Sequence, residues 1–126
     1  MYKSEGILQY FYSNNYKLWL LLDDSIGDYY RSLIPHCNNK PKYPTHISVF
    51  RGEEIPNLNK WGLYENKIVE FEYGNTVYNN DTYWWLEAKC PELEKIRVEL
   101  GLSSTDDITC SPDKRHSWHI TIANNK

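Results

Sequence analysis

Two four-residue segments, His46-Ile47-Ser48-Val49 and His119-Ile120-Thr121-Ile122, repeat one pattern of histidine, apolar residue, hydroxyl residue, apolar residue. Histidine exchanges a proton near neutrality because its unperturbed pKa is ~6.5. A hydroxyl two residues away can donate a hydrogen bond. Two such pairs facing each other would cleave a phosphodiester without a metal. One imidazole would take the proton from a ribose 2′-OH or a water, and the other would protonate the leaving 5′-oxygen. The hydroxyls of Ser48 and Thr121 would donate to the non-bridging phosphate oxygens, where charge builds in the transition state. The pattern leaves open which histidine is acid and which is base. Two of four histidines open such a pattern in roughly one of 500 shuffled chains of this composition, so the recurrence carries information.

Both segments read as β-strands, and period-two alternation sends successive side chains to opposite faces. His46 and Ser48 share one face while Ile47 and Val49 enter a core; His119, Thr121, Ile120 and Ile122 repeat this. The elements that must hold these strands also recur. Strands are expected over residues 5–12 and 16–22, joined at Asn14-Asn15. Asp23 or Asp24 caps a helix running to about Leu33, stopped before Pro35, and residues 35–44 lead into the His46 strand. The second half offers strands over 67–73 and 82–89 around a turn at Asn79-Asn80. Pro91 then opens a helix ending near Gly101, and residues 103–116 lead into the His119 strand. Each half is β-β-α-β, with residues 51–66 as connector. The predicted fold class is α+β: one domain over 1–126, with two pseudo-symmetric lobes (about 1–52 and 67–126). Their antiparallel sheets would form a central groove with helices outside.

Strand parity extends the candidate site. Leu18, Leu20 and Leu22 mark the core face of one strand, so Trp19 falls on the other. Trp84, Leu86 and Ala88 do the same for Trp85. Trp19 and Trp85 would flank the groove at equivalent places, where stacking on a base is worth ~1–3 kcal/mol. Tyr12, near an open strand end, is a further base contact. Lys40 and Lys42 precede the first motif, Arg51 follows it, and Lys114 and Arg115 precede the second; these cations would focus phosphate into the groove.

Composition bounds the partners. At 126 residues the chain is long enough for a core of its own. A net charge of −3 argues against wrapping extended DNA, which needs a basic stripe, but allows a short nucleotide in a locally positive pocket. Eleven Tyr and five Trp exceed what such a core requires, and some are expected to line a recess. Cys37, Cys90 and Cys110 suggest neither a disulfide framework nor a zinc ribbon. His116 and His119 with Cys110 nearby do not make a zinc site, since strand parity sends the two histidines to opposite faces. No cofactor is expected. With no apolar leader and no 18-residue apolar run, the expectation is a cytoplasmic protein away from membranes.

The two His-apolar-Ser/Thr-apolar motifs and the two-lobed order around them resemble the 2H phosphoesterase superfamily. The resemblance implies a metal-independent phosphodiesterase in which His46 and His119 are catalytic and Ser48 and Thr121 hold phosphate. Ser48 stands where threonine is more usual, and keeps the hydroxyl. The family's substrates are RNA or small nucleotides: 2′,3′-cyclic phosphates, 2′-5′ linkages and cyclic oligonucleotides. The compactness of the chain is similar to viral and phage members that destroy cyclic oligonucleotide signals of antiviral immunity. RNA-end processing, 2′-5′ oligonucleotide cleavage and a non-catalytic nucleotide-binding module are the alternatives.

Overall fold

The computed structural model describes residues 1–35, 39–51, 54–104 and 118–125. Along them run β1 (Tyr2–Ser13), β2 (Asn15–Leu21), α1 (Asp24–Ser32), β3 (His46–Arg51), β4 (Ile68–Tyr73), β5 (Tyr78–Asn79), β6 (Tyr83–Lys89), α2 (Pro91–Glu99) and β7 (Trp118–Asn124). The fold is α+β. All seven strands join one antiparallel sheet in the order β4-β1-β2-β3-β7-β6-β5, and β4 pairs again with β6. The pairing therefore runs from β4 through β1, β2, β3, β7 and β6 and returns to β4.

Local chemistry explains most element ends. Asn14 takes a positive φ of 65° and reverses the chain between β1 and β2. The Asp23 carboxylate accepts the Ser25 amide at 2.8 Å, which caps α1 and holds that carboxyl below its usual range. Pro91 opens α2, and Gly101 follows it with φ at +88°. Two departures from the sequence expectation have tertiary causes. The first strand starts as early as Tyr2 because β4 offers it partners from Tyr73 to Ile68. The turn near Asn79 carries the extra strand β5, whose Tyr78 and Asn79 pair with Trp85 and Trp84. There the Asn80 side chain accepts the amides of Thr82 and Tyr83, and Asp81 takes φ 71°, so the hairpin closes tightly enough to pair.

Alternation buries one face of the sheet. Leu8, Leu18, Leu20, Ile47, Val49, Leu86, Ile120 and Ile122 are fully buried there, packed with Ile26 of α1 and Leu93 and Ile96 of α2. Gly27 lets α1 close onto the residue before the first motif, since a Cβ there would lie 2.7 Å from Thr45 Oγ1. The connector covers the same side, with the Trp61 ring 4.9 Å from Tyr10, 5.2 Å from Tyr16 and 5.4 Å from Phe50. Burial pushes the Tyr10 phenol up to about 12. No helix among the described residues is long and apolar enough to cross a membrane.

Candidate active site

His46, Ser48, His119 and Thr121 are all half-buried, while the Ile47, Val49, Ile120 and Ile122 that alternate with them are fully buried. The four polar residues therefore lie on the face of the sheet away from the core. The two strands that carry them are neighbours, with Ile47 the direct partner of Ile120. One step outward along this antiparallel pair sets His46 beside Thr121 and Ser48 beside His119. The two histidines become diagonal cross-strand neighbours, a relation that spans about 7–8 Å.

Both motif strands are held alike from the next strand out. Trp19 of β2 lies opposite Ser48, and Trp85 of β6 opposite Thr121. Immediately beyond each of these rungs the register skips one residue, Val49 in β3 and Ile122 in β7, so that both motifs end in a β-bulge. An arginine secures each bulge. Arg97 of α2, fully buried, donates from Nη1 to the Val49 carbonyl at 2.9 Å and from Nε to the Ser103 carbonyl at 2.8 Å. Arg31 of α1 donates from Nη1 to the Ile122 carbonyl at 3.0 Å. Each helix thus braces the motif strand of the opposite half. Sequence reasoning missed both arginines, because a cation in the last turn of a helix reads as an ordinary complement to the helix dipole.

His46 sits in a defined cage. Its Nδ1 lies 2.7 Å from the Pro44 carbonyl. A carbonyl only accepts, so Nδ1 carries the hydrogen and the lone pair of the neutral ring is on Nε2. Trp19 stacks on the imidazole with centroids 4.0 Å apart and planes 19° apart. Phe11 meets Trp19 edge-on at 4.7 Å, and Tyr43 lies 5.4 Å from it. At the entry to β3, the Thr45 amide donates to the Asp24 carboxylate at 2.9 Å, which holds that carboxyl below its usual range.

The flanking residues proposed from sequence are placed unevenly. Trp19 is on the histidine face, but it lies against His46, so its first partner is the imidazole. Trp85 is also on that face, opposite Thr121, yet it is only 3 % exposed and stacks with Tyr78 of β5. An open stacking platform at Trp85 is thus corrected to a covered wall, a consequence of the hairpin that sequence read as a bare turn. Tyr12 is corrected outright. The β1–β2 register pairs Phe11 with Lys17 and Gln9 with Trp19, so the odd-numbered residues of β1 share the face of Trp19. Tyr12 points the other way, 66 % exposed and edge-on to Tyr16. Arg51 closes β3 opposite Lys17, and its side chain lies outside the described residues, as do Lys114, Arg115, Cys37, Cys110 and His116. Lys40 turns to Asp28 of α1 at 3.9 Å, whereas Lys42 lies over the Tyr43 ring at 5.6 Å.

Two further features adjoin the motifs. Leu21 is the direct partner of His46 and Glu87 that of His119. Leu21 also pairs with Ile7, and Ile7 with Ile68, and these three line an apolar recess of about 330 Å³ beside the first motif. Among the described residues no three His, Cys, Asp or Glu side chains converge as metal ligands. Comparison with protein-family models, with curated proteins and with solved structures finds no match to this chain.

Proposed function

We propose that this protein is a metal-independent phosphodiesterase of the 2H type, acting on a small RNA-like nucleotide and foremost on cyclic oligonucleotide signals of antiviral immunity. One observation carries the reading: two His-apolar-Ser/Thr-apolar segments lie side by side on one sheet face with Ile47 opposite Ile120. A diagonal of about 7–8 Å between the histidines suits a single phosphate, hydrogen-bonded at about 2.8 Å by a ring on either side. The two halves are then pseudo-symmetric lobes, with the phosphate in a groove between them. Matched bulges, matched tryptophan rungs and exchanged arginines support that symmetry.

In the reaction, one imidazole removes the proton from the ribose hydroxyl adjacent to the phosphate. That oxygen bonds to phosphorus as the bond to the leaving 5′-oxygen breaks, and the second imidazole gives that oxygen its proton. Ser48 and Thr121 donate to the non-bridging oxygens. The ribose supplies its nucleophile already positioned, which spares the entropy of recruiting water. The apolar recess of Ile7, Leu21 and Ile68 suits the flat face of a neighbouring base.

The test is cleavage of labelled cyclic oligonucleotides, 2′-5′ oligonucleotides and 2′,3′-cyclic phosphates in EDTA. The expected result is cleavage at the undiminished rate in chelator, and resistance of substrates lacking the attacking hydroxyl. Tight binding of the same panel without cleavage would leave a nucleotide-binding module as the better account. Activity only on addition of divalent ions would point to metal-assisted hydrolysis.

A further inference from the structure

The rungs that flank the two histidines differ in one respect that bears on proton transfer. Across β6, the residue directly opposite His119 is Glu87; across β2, the residue directly opposite His46 is Leu21. Directly opposed residues on one sheet face have Cβ atoms about 4.5–5.5 Å apart. A carboxylate that reaches across such a rung favours the charged form of an imidazole, whereas an apolar neighbour withholds that support.

We propose that Glu87 is a positioning residue that keeps His119 protonated as the general acid, leaving His46 as the general base. This inference rests on the phosphodiesterase reading and assigns the roles within it. The groups around each ring agree. Among the described residues, His119 is faced by Glu87 and Trp85 from β6 and by Ser48 and His46 from β3, with Thr121 on its own strand. Arg31 of α1 reaches β7 only at the Ile122 carbonyl, whose residue is buried on the core side. His46 is faced by Leu21 and Trp19 from β2 and by Thr121 and His119 from β7. The carboxylates on that side are Asp24, engaged by the Thr45 amide, Asp23, engaged by the Ser25 amide, and Glu5, which with Asp23 lines the recess beyond Leu21. The Trp19 face stabilises an imidazolium somewhat, but a full negative charge opposite His119 acts more strongly than a ring quadrupole. With Nδ1 donating to Pro44, the lone pair of neutral His46 is on Nε2, as a base requires.

Two measurements test the assignment. In NMR titrations the His119 ring should lose its proton at a higher pH than the His46 ring. Glu87→Gln should narrow that gap, and Glu87→Asp should preserve most of it. In kinetics, uridine 3′-(4-nitrophenyl phosphate) has a leaving group that departs without a proton. His119→Ala should therefore recover at least about tenfold on this substrate relative to a natural linkage, while His46→Ala stays inactive on both. Glu87→Gln should move the alkaline limb of the pH–rate profile to lower pH. Rescue of His46→Ala, or titrations and profile unmoved by Glu87→Gln in an active enzyme, would overturn the assignment alone. A wild-type protein that cleaves nothing while its rings titrate normally overturns the phosphodiesterase reading, and the assignment falls with it.

Discussion

Around His46, strand β2 supplies Leu21 and Trp19; at the corresponding rungs around His119, strand β6 supplies Glu87 and Trp85. The backbone is the same in both places, down to the residue at which each bulge begins. The side chains diverge: a stacked tryptophan and an opposed leucine at one ring, an opposed glutamate at the other. Backbone register places two equivalent groups, and the residues one strand away make them inequivalent. On the proposed acid–base reading, that inequivalence would set the two proton affinities apart, as one acid and one base require.

The largest effect tests whether both rings are needed. His46→Ala and His119→Ala should each slow cleavage of a natural linkage by at least about 100-fold, with substrate affinity nearly unchanged by calorimetry. Loss in only one variant would break the comparison at its root. The bracing arginines come next. Arg97→Met strips charged donors from two carbonyls in a fully buried setting and should cost about 3 kcal/mol, lowering Tm by roughly 10 °C. Arg31→Met, at a half-buried site, should cost about 1 kcal/mol. Equal losses in thermal unfolding would mean that the two braces are equivalent after all.

The tryptophans should separate in kind. Trp85→Leu removes a covered ring and should destabilise the fold by about 2 kcal/mol. Trp19→Leu should alter stability less, and should lower kcat about fivefold by releasing the His46 ring from its orientation. A rise in KM alone for Trp19→Leu would instead restore the base-stacking role. The smallest effect concerns acid. Asp24 is held below its ordinary value of 3.8 by the Thr45 amide, so the stability it contributes is present above that pH and is lost as pH falls through the lowered value. Asp24→Ala should flatten the decline of the denaturation midpoint below about pH 4. In α2 the first-turn carboxylate Glu92 is held below its ordinary value by Lys67 instead.

Much of this was legible in the sequence because it depends on period and punctuation. The motif strands, their polar and buried faces and both helices follow from alternation, from the Asp23-Asp24 pair, of which the structure selects Asp23 as the cap, and from Pro91. Pairing partners do not. Tyr12 reads as a base contact because it lies near an open strand end, and only the β1–β2 register shows that it shares the face of Leu18, the core side. Trp85 looked open because β5 is two residues long and depends on Asn80 to tighten its hairpin. Arg31 and Arg97 act on carbonyls 91 and 48 residues away, and no local pattern announces such a contact.

The exchange of arginines between halves has a consequence for cooperativity. Fraying of α2 loosens the strand that bears His46, and fraying of α1 loosens the strand that bears His119. Neither half can open locally without loosening the motif strand of the other. Backbone amides of β3 should therefore exchange with solvent deuterium in step with those of α2, and amides of β7 in step with those of α1. A protease nick in the connector would leave two fragments that each lack the brace for their own motif, so that only the reassociated pair would carry both histidines in place.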